Sequence, residues 1–317
     1  MIVVQDWLRD APVPGLRAVL TIGVFDGLHR GHRYLLERVI AGAAALGVDS
    51  LLLTFEPHPL SVLSSKYAPE ILTTFPQKAG LLSDMGLSIL ACLRFDQEMA
   101  SLGAEGFLDG VIASRVAPAG ILIGPDFHFG RNAEGDFALL ESWARGRGIP
   151  IEAVEMQRAP GGEVFSSSHV RGLLKTGHVE SAARLLGRPY RISGVVIEGQ
   201  RRGRELGFPT ANLGKVSQLI PGPGVYAAMA VLDGKRLFAM TSVGNNPTFK
   251  GQSLTVETNI LDFKGDLYGR DMGLDFIGRI RGMVRFDSAT ALAERLGEDE
   301  RQARAILSAG LELGEGG

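Results

Sequence analysis

Two histidines three residues apart, His29 and His32, are the first side chains in this 317-residue sequence whose types and spacing suggest chemistry. They close the stretch Thr21-Ile22-Gly23-Val24-Phe25-Asp26-Gly27-Leu28-His29-Arg30-Gly31-His32. The apolar run over 18–22 reads as a buried parallel strand, the glycines as a tight turn, and the residues from His32 as the start of a helix. A strand, a glycine-rich turn and a helix together present backbone N–H groups and a positive helix end to a phosphate. Both imidazoles then lie near that helix end, where they could donate hydrogen bonds to one phosphate group. The plain alternative is two surface histidines in a loop, and their place directly after a buried strand argues against it.

Three further stretches carry candidates. Phe165-Ser166-Ser167-Ser168-His169-Val170-Arg171 opens a helical window. Its serines could be ordinary N-caps, worth about 1 kcal/mol. They could also join Arg171 and free backbone N–H groups in a second phosphate clamp. Gly199-Gln200-Arg201-Arg202-Gly203-Arg204-Glu205-Leu206-Gly207-Phe208-Pro209-Thr210-Ala211-Asn212 mixes arginines with glycines, as a surface loop does, and lacks the Gly-Lys-Ser/Thr ending of a P-loop. Within it, Thr210 and Asn212 point to one side if the segment is extended. Two neutral oxygen ligands on one face suit Mg²⁺, which is held partly by substrate phosphates. In the strand from Leu254, alternation puts Leu254, Val256, Thr258 and Ile260 on one face and Thr255, Glu257 and Asn259 on the other. On pattern alone, Glu257 is most simply a solvated outer residue.

The elements that must position these groups fall into two kinds. Apolar runs over 18–22, 50–55, 87–93, 120–124 and 149–154 alternate with helical windows over 77–85, 104–116 and 137–147. That pattern predicts an α/β, Rossmann-like parallel sheet with helices on both faces. Ligands of such sheets bind beyond the carboxyl ends of the strands, and two loops in that position are Thr54-Phe55-Glu56-Pro57-His58-Pro59 and Gly124-Pro125-Asp126-Phe127-His128-Phe129-Gly130. A short helix over 179–186 ends at Gly187, where the character of the chain changes. Short strands over 191–197, 224–231, 237–243, 254–261 and 271–277, broken by Gly, Pro and Asn, predict a small antiparallel β-barrel closed by a helix over 289–311. The expected domains are therefore 1–187 and 188–317.

Composition narrows the function. A net charge of −2 gives no electrostatic reason to expect nucleic-acid binding. The single cysteine, Cys92, sits in an apolar run and permits no intrachain disulfide, which fits a reducing cytoplasm. The start of the sequence lacks a charged segment followed by a long apolar one, so no signal peptide is expected. No apolar run reaches about 18 residues, so no membrane span is expected.

The His-x-Gly-His stretch resembles the signature of nucleotidylyltransferases. Its wider wording, Gly-x-Phe-Asp-Gly-x-His-x-Gly-His, resembles the N-terminal module of the bacterial bifunctional riboflavin kinase/FAD synthetases. The Gly124–Gly130 loop and the serine run resemble that module too, with Ser168 where the family has threonine. In the second half, Gly203 to Asn212 is similar to the family's Gly-Arg-x-Leu-Gly-Phe-Pro-Thr-Ala-Asn. Val256-Glu257-Thr258-Asn259-Ile260-Leu261-Asp262-Phe263 is similar to its Val-Glu-x-His-x-x-Asp-Phe, with Asn259 in place of histidine.

The resemblance implies riboflavin, FMN and ATP as substrates, FAD as final product, and Mg²⁺. It implies nucleotide contacts from Gly23, Phe25, Asp26, Gly31, Asp126, Ser167 and Ser168 in the first half and from Arg201, Gly203, Arg204, Gly207 and Pro209 in the second. It makes Thr210 and Asn212 the metal ligands and Glu257 the catalytic base, with His29, His32 and Arg171 acting in the other reaction. The residues suit that division. A riboflavin hydroxyl is neutral and gains from a base. An FMN phosphate is already anionic and needs only charge neutralisation and held geometry. Three rivals are a kinase with a degenerate first half, a nucleotidylyltransferase with another acceptor, and a non-catalytic flavin sensor. The retention of both polar sets counts against each.

Overall fold

Period-two burial builds the first half. Leu20, Ile22, Leu51 and Leu53 face one core, and Val19, Leu52 and Leu90 face another on the opposite side of the sheet. The structure, a computed structural model, describes residues 1–155, 164–198, 208–248 and 251–312. Its contacts divide the chain into two compact units, one of residues 1–69 and 74–166, the other of residues 70–73 and 167–317.

In the first unit the strands are β1 (Ile2–Val4), β2 (Arg17–Ile22), β3 (Asp49–Glu56), β4 (Ile89–Arg94), β5 (Ala117–Ile123) and β6 (Ile151–Ala153). All pair parallel, in the order β1-β4-β3-β2-β5-β6. From β2 the chain winds outward to β3 on one side, and β5 joins the other. The carboxyl end of β2 is thus a switch point, where sheets of this kind bind ligands. The helices are α1 (Arg30–Leu46), α2 (Pro59–Leu63), α3 (Phe75–Asp84), α4 (Gln97–Ser101), α5 (Ala104–Gly106) and α6 (Phe137–Arg145). The helix expected over 104–116 is mostly a π-helix, Phe107–Ala113, running on from α5. The edge strand β1 was not anticipated.

The second unit holds α7 (Ser167–Lys175), α8 (Val179–Leu186) and a closed barrel. The barrel strands are β7 (Tyr190–Ile197), β8 (Ala211–Gly214), β9 (Gly224–Leu232), β10 (Lys235–Thr248), β11 (Gly251–Ile260) and β12 (Asp271–Arg281). Their cyclic order is β10-β11-β8-β7-β12-β9. Tyr226, Ala228 and Ala230 are completely buried, while Val225, Ala227 and Met229 on the other face of β9 cluster with Ala303 and Leu307 of the closing helix α9 (Ala289–Glu312).

The sequence places the division near Gly187, but by contacts α7 and α8 go with the barrel. Glu180 Oε1 accepts the Arg279 backbone N–H of β12 at 2.6 Å, and Leu174 O accepts Gly222 N–H at 2.8 Å. Residues 70–73 join this unit as well. Ile71 bridges Gln218, and its carbonyl accepts the Leu219 N–H at 2.8 Å.

Candidate active sites

The first site grows from the turn between β2 and α1. Gly23 donates its N–H to Leu53 O at 3.1 Å. A Cβ on Gly23 would meet the Phe25 ring at 2.9 Å, so glycine is what lets that ring fold back. Phe25 and Leu28 both take positive φ, 50° and 43°, around Gly27 at 81°. Left-handed backbone costs a residue with a Cβ roughly 1–2 kcal/mol, so this turn is held by its surroundings. His29 is the N-cap of α1, its Nδ1 accepting the His32 N–H at 3.3 Å. The His29 and His32 rings stack with centroids 3.6 Å apart, and Phe25 lies 4.8 Å from His32 on a tilt.

Phe25, Asp26, His29 and Gly31 are buried and His32 half-buried, with His32 Nδ1 a buried atom that has no hydrogen-bond partner among the described residues. Burial first, then the neighbouring His29 and Lys78, push the His32 pKa well below its usual value. The imidazole is therefore neutral at pH 7.

Beneath the turn lies a residue that sequence reasoning missed. Lys78 of α3 is only 3% exposed, and its Nζ donates to Val24 O at 2.8 Å and to Thr54 Oγ1 at 3.3 Å. Thr54 Oγ1, at the end of β3, also donates to Val24 O at 3.1 Å. Desolvation lowers the Lys78 pKa, opposed by Asp26 and Glu56.

Asp126 follows β5 but is exposed, and its carbonyl lies 3.0 Å from His128 Nδ1. In that loop Phe127 stacks on Phe129 at 5.4 Å. Ser167, Ser168 and Arg171 open α7, in the second unit. Ser168 is exposed, Ser167 and Arg171 are half-buried, and Arg171 Nε donates to Glu70 O at 2.8 Å.

In the barrel, register does the assembling. Val225 pairs with Ser242, Ser242 with Glu257, and Glu257 with Asn212. These four residues form one row across β9, β10, β11 and β8, and residues opposite one another point to the same face of a sheet. The oxygen side chains of Ser242, Glu257 and Asn212 are thus neighbours on the outer face. That face is not simply solvated at Glu257, which is half-buried. A cavity of about 340 Å³ opens there, lined by Glu257, Asn259 and Thr210 and by apolar groups including Phe208, Met240, Phe286 and Leu296. A second cavity, of about 580 Å³, is lined by Pro209, Thr210, Thr258, Phe263, Lys264 and Tyr268 among others. Thr210 borders both.

Asn259 Nδ2 donates to Pro209 O at 2.7 Å, tying the strand that carries Glu257 to the segment that carries Thr210. Arg281, on the rim of the smaller cavity, is fixed by Asp299 of α9, which is fully buried and also meets Arg295. Neither member of that pair was picked out from the sequence. Arg201, Gly203, Arg204 and Gly207 lie outside the described residues.

Among the described residues no group of three or more His, Cys, Asp or Glu could hold a metal. Thr210, which lines the smaller cavity with Glu257, and Asn212, which pairs with Glu257 across the ladder, carry neutral oxygens of the kind Mg²⁺ accepts when phosphates complete its shell.

Fold and sites together define a two-module enzyme of phosphate chemistry: a nucleotide-type parallel sheet with a histidine turn at its switch point, and a barrel with a carboxylate in one of two cavities that meet at Thr210. A family model described as riboflavin kinase matches residues 186–307, and one described as FAD synthetase matches residues 15–169. The bifunctional riboflavin kinase/FMN adenylyltransferase of Pseudomonas fluorescens is 37% identical over 291 residues, covering 92% of this chain and 93% of its own. That of Escherichia coli K12 is 36% identical over 298 residues, 94% of each. A structure solved as a macrolide-efflux protein of Streptococcus pneumoniae superposes with a TM-score of 0.87 at 29% identity, over 96% of this chain and 99% of that one. Among the described residues here, no helix is long and apolar enough to cross a membrane. The chain belongs to the family of bifunctional riboflavin kinase/FMN adenylyltransferases.

Proposed function

We propose that this chain makes FAD from riboflavin in two ATP-dependent transfers, one in each half, with the catalytic boundary near Gly187. Riboflavin and ATP give FMN and ADP. FMN and a second ATP then give FAD and pyrophosphate. The FAD synthetase match ends at residue 169 and the riboflavin kinase match begins at residue 186, which supports that boundary.

For the kinase step, the apolar cavity takes the flavin ring and the larger one the nucleotide. Glu257 accepts the proton of the riboflavin 5′-hydroxyl as that oxygen attacks the γ-phosphorus. Thr210 and Asn212 would hold Mg²⁺, which when bound neutralises phosphate charge. Pro209, on the wall of the larger cavity, contacts the nucleotide, and the nucleotide roles of Arg201, Gly203, Arg204 and Gly207, which lie outside the described residues, rest on the family motif alone. The carrying observation is the register that sets Glu257 against Asn212, with Thr210 on the wall shared by both cavities.

For adenylyl transfer no base is needed, since the attacking FMN oxygen is already anionic. His29 and His32 donate to the ATP phosphates at the N-terminus of α1, and Gly23, Phe25, Asp26 and Gly31 shape the turn around them. Asp126 meets the nucleotide, and Ser167, Ser168 and Arg171 hold phosphate at the start of α7. The location belongs to the same proposal: a cytoplasmic enzyme, in keeping with its lone buried Cys92.

Incubation with riboflavin, ATP and Mg²⁺, followed by chromatography, yields both FMN and FAD. The variant Glu257→Gln loses the kinase step by about 10²- to 10⁴-fold, the usual worth of a general base. It still adenylylates added FMN at the parental rate. Parental kinase turnover in that variant would remove Glu257 from the mechanism.

A further inference from the structure

We infer that Lys78 is a positioning residue for adenylyl transfer, holding the turn that carries His29 and His32 and supplying a fixed positive charge beneath it. The inference rests on the reading of those histidines as phosphate donors. No part of the mechanism above uses Lys78, yet it is a lysine kept almost wholly from water. A buried ammonium is costly to maintain and persists where its hydrogen bonds and neighbouring charges are well matched.

The geometry says what Lys78 holds. Its Nζ and the Thr54 hydroxyl converge on a single acceptor, the carbonyl of Val24. That carbonyl belongs to the peptide leading into Phe25, the first of the two non-glycine residues at positive φ. The conformation it fixes brings the Phe25 ring onto His32, which is stacked in turn on His29. Lys78 is itself set by the start of α3, where Thr74 and Gln77 form a reciprocal cap: Thr74 Oγ1 accepts the Gln77 N–H and Gln77 Oε1 accepts the Thr74 N–H. A chain of contacts therefore runs from a capped helix end through one ammonium and one carbonyl to the imidazole pair.

Charge adds a second role. Around Lys78 stand Asp26 of the turn, Glu56 at the end of β3 and Cys92 of β4, while His32 faces His29 and Lys78. The ammonium helps keep His32 neutral while no phosphate is present. A phosphate arriving at the turn then meets a site whose cation is already in place, so no group has to reorganise during transfer.

The test uses the full chain with Lys78→Met, which keeps the length of the stem and removes the charge, and Lys78→Arg, which keeps the charge. Riboflavin phosphorylation by the same preparations reports folding of the second unit, and their circular dichroism and thermal melting report folding of the first. In Lys78→Met we expect kcat for adenylylation of added FMN to fall 10- to 100-fold with the kinase step unchanged, and the acid limb of the adenylylation pH profile to move to higher pH. Lys78→Arg restores most of the rate and the parental profile. An unaltered kcat and pH profile in Lys78→Met overturns the inference. So does a loss of adenylylation that comes with a lowered melting temperature and that arginine does not rescue, which would mark Lys78 as merely structural. His32→Ala in the same assay separates the two levels. If it adenylylates normally, the reading of the histidines fails, whatever Lys78 does.

Discussion

His32 must be buried enough to be ordered and still receptive to a phosphate. Burial, His29 and Lys78 together hold its folded-state pKa below the ordinary value of 6.5. A group with a depressed folded pKa favours the folded state above its unfolded pKa, and this contribution is lost as pH falls through the folded value. Between pH 7.5 and 5.5, urea melts should therefore show a larger loss of stability in the parent than in His32→Gln. An anionic phosphate reverses the balance of charge around the ring, so ATP binding should take up protons increasingly as pH falls below neutrality, measurable as a buffer-dependent heat in calorimetry. His32→Ala should cost adenylylation on the order of 3 kcal/mol, by analogy with a lost oxyanion donor, and leave FMN formation intact. Equal loss of both activities would point to misfolding instead.

The pairing of β11 with β8 brings Glu257 and Asn212 together, and Asn259, two residues further along β11, secures that junction. The resemblance leaves the departure from histidine at this position open. In the structure the Asn259 amide performs a definite task, donating to Pro209 O. Asn259→Ala should lower kinase turnover about tenfold, the equivalent of one hydrogen bond of 1–1.5 kcal/mol, with adenylylation untouched. Asn259→His, whose ring N–H can make the same bond, should stay near the parental rate. A kinase rate in Asn259→Ala equal to the parent's would show that the bond to Pro209 is idle.

Much at this scale was legible. The apolar runs of β2 and β3, the strand β9 and the His-x-Gly-His turn need only local pattern. Other features depend on distant partners. β8 reads Ala-Asn-Leu-Gly, with little strand propensity of its own, and becomes a strand because β7 and β11 flank it. β1 is three residues at a sheet edge. Lys78 and Asp299 look like surface charges until tertiary packing closes over them.

At the scale of the whole molecule, α7 and α8 belong with the barrel by contact although they precede it in sequence. Val170, Leu174, Val179, Leu185 and Leu186 are all buried, and each large aliphatic side chain removed from water contributes about 1.5–3 kcal/mol. A fragment covering 167–317 should thus melt well above one covering 188–317, and riboflavin phosphorylation by each measures what the two helices add to the site. Equal melting temperatures would mean that the helices lean on the barrel without supporting it.

The short segment 70–73 carries a different consequence, one of timing. It lies within the first unit's stretch of sequence but pairs through Ile71 with Gln218 and Leu219. On a ribosome the chain emerges from its N-terminus, and domains tend to fold as they appear. Ile71 is therefore made long before its partners exist, and the first sheet must close around a loop whose hydrogen-bonding edge is still waiting. The second unit, in turn, includes residues synthesised well ahead of the rest of it, so its assembly has to capture an older piece of the same chain.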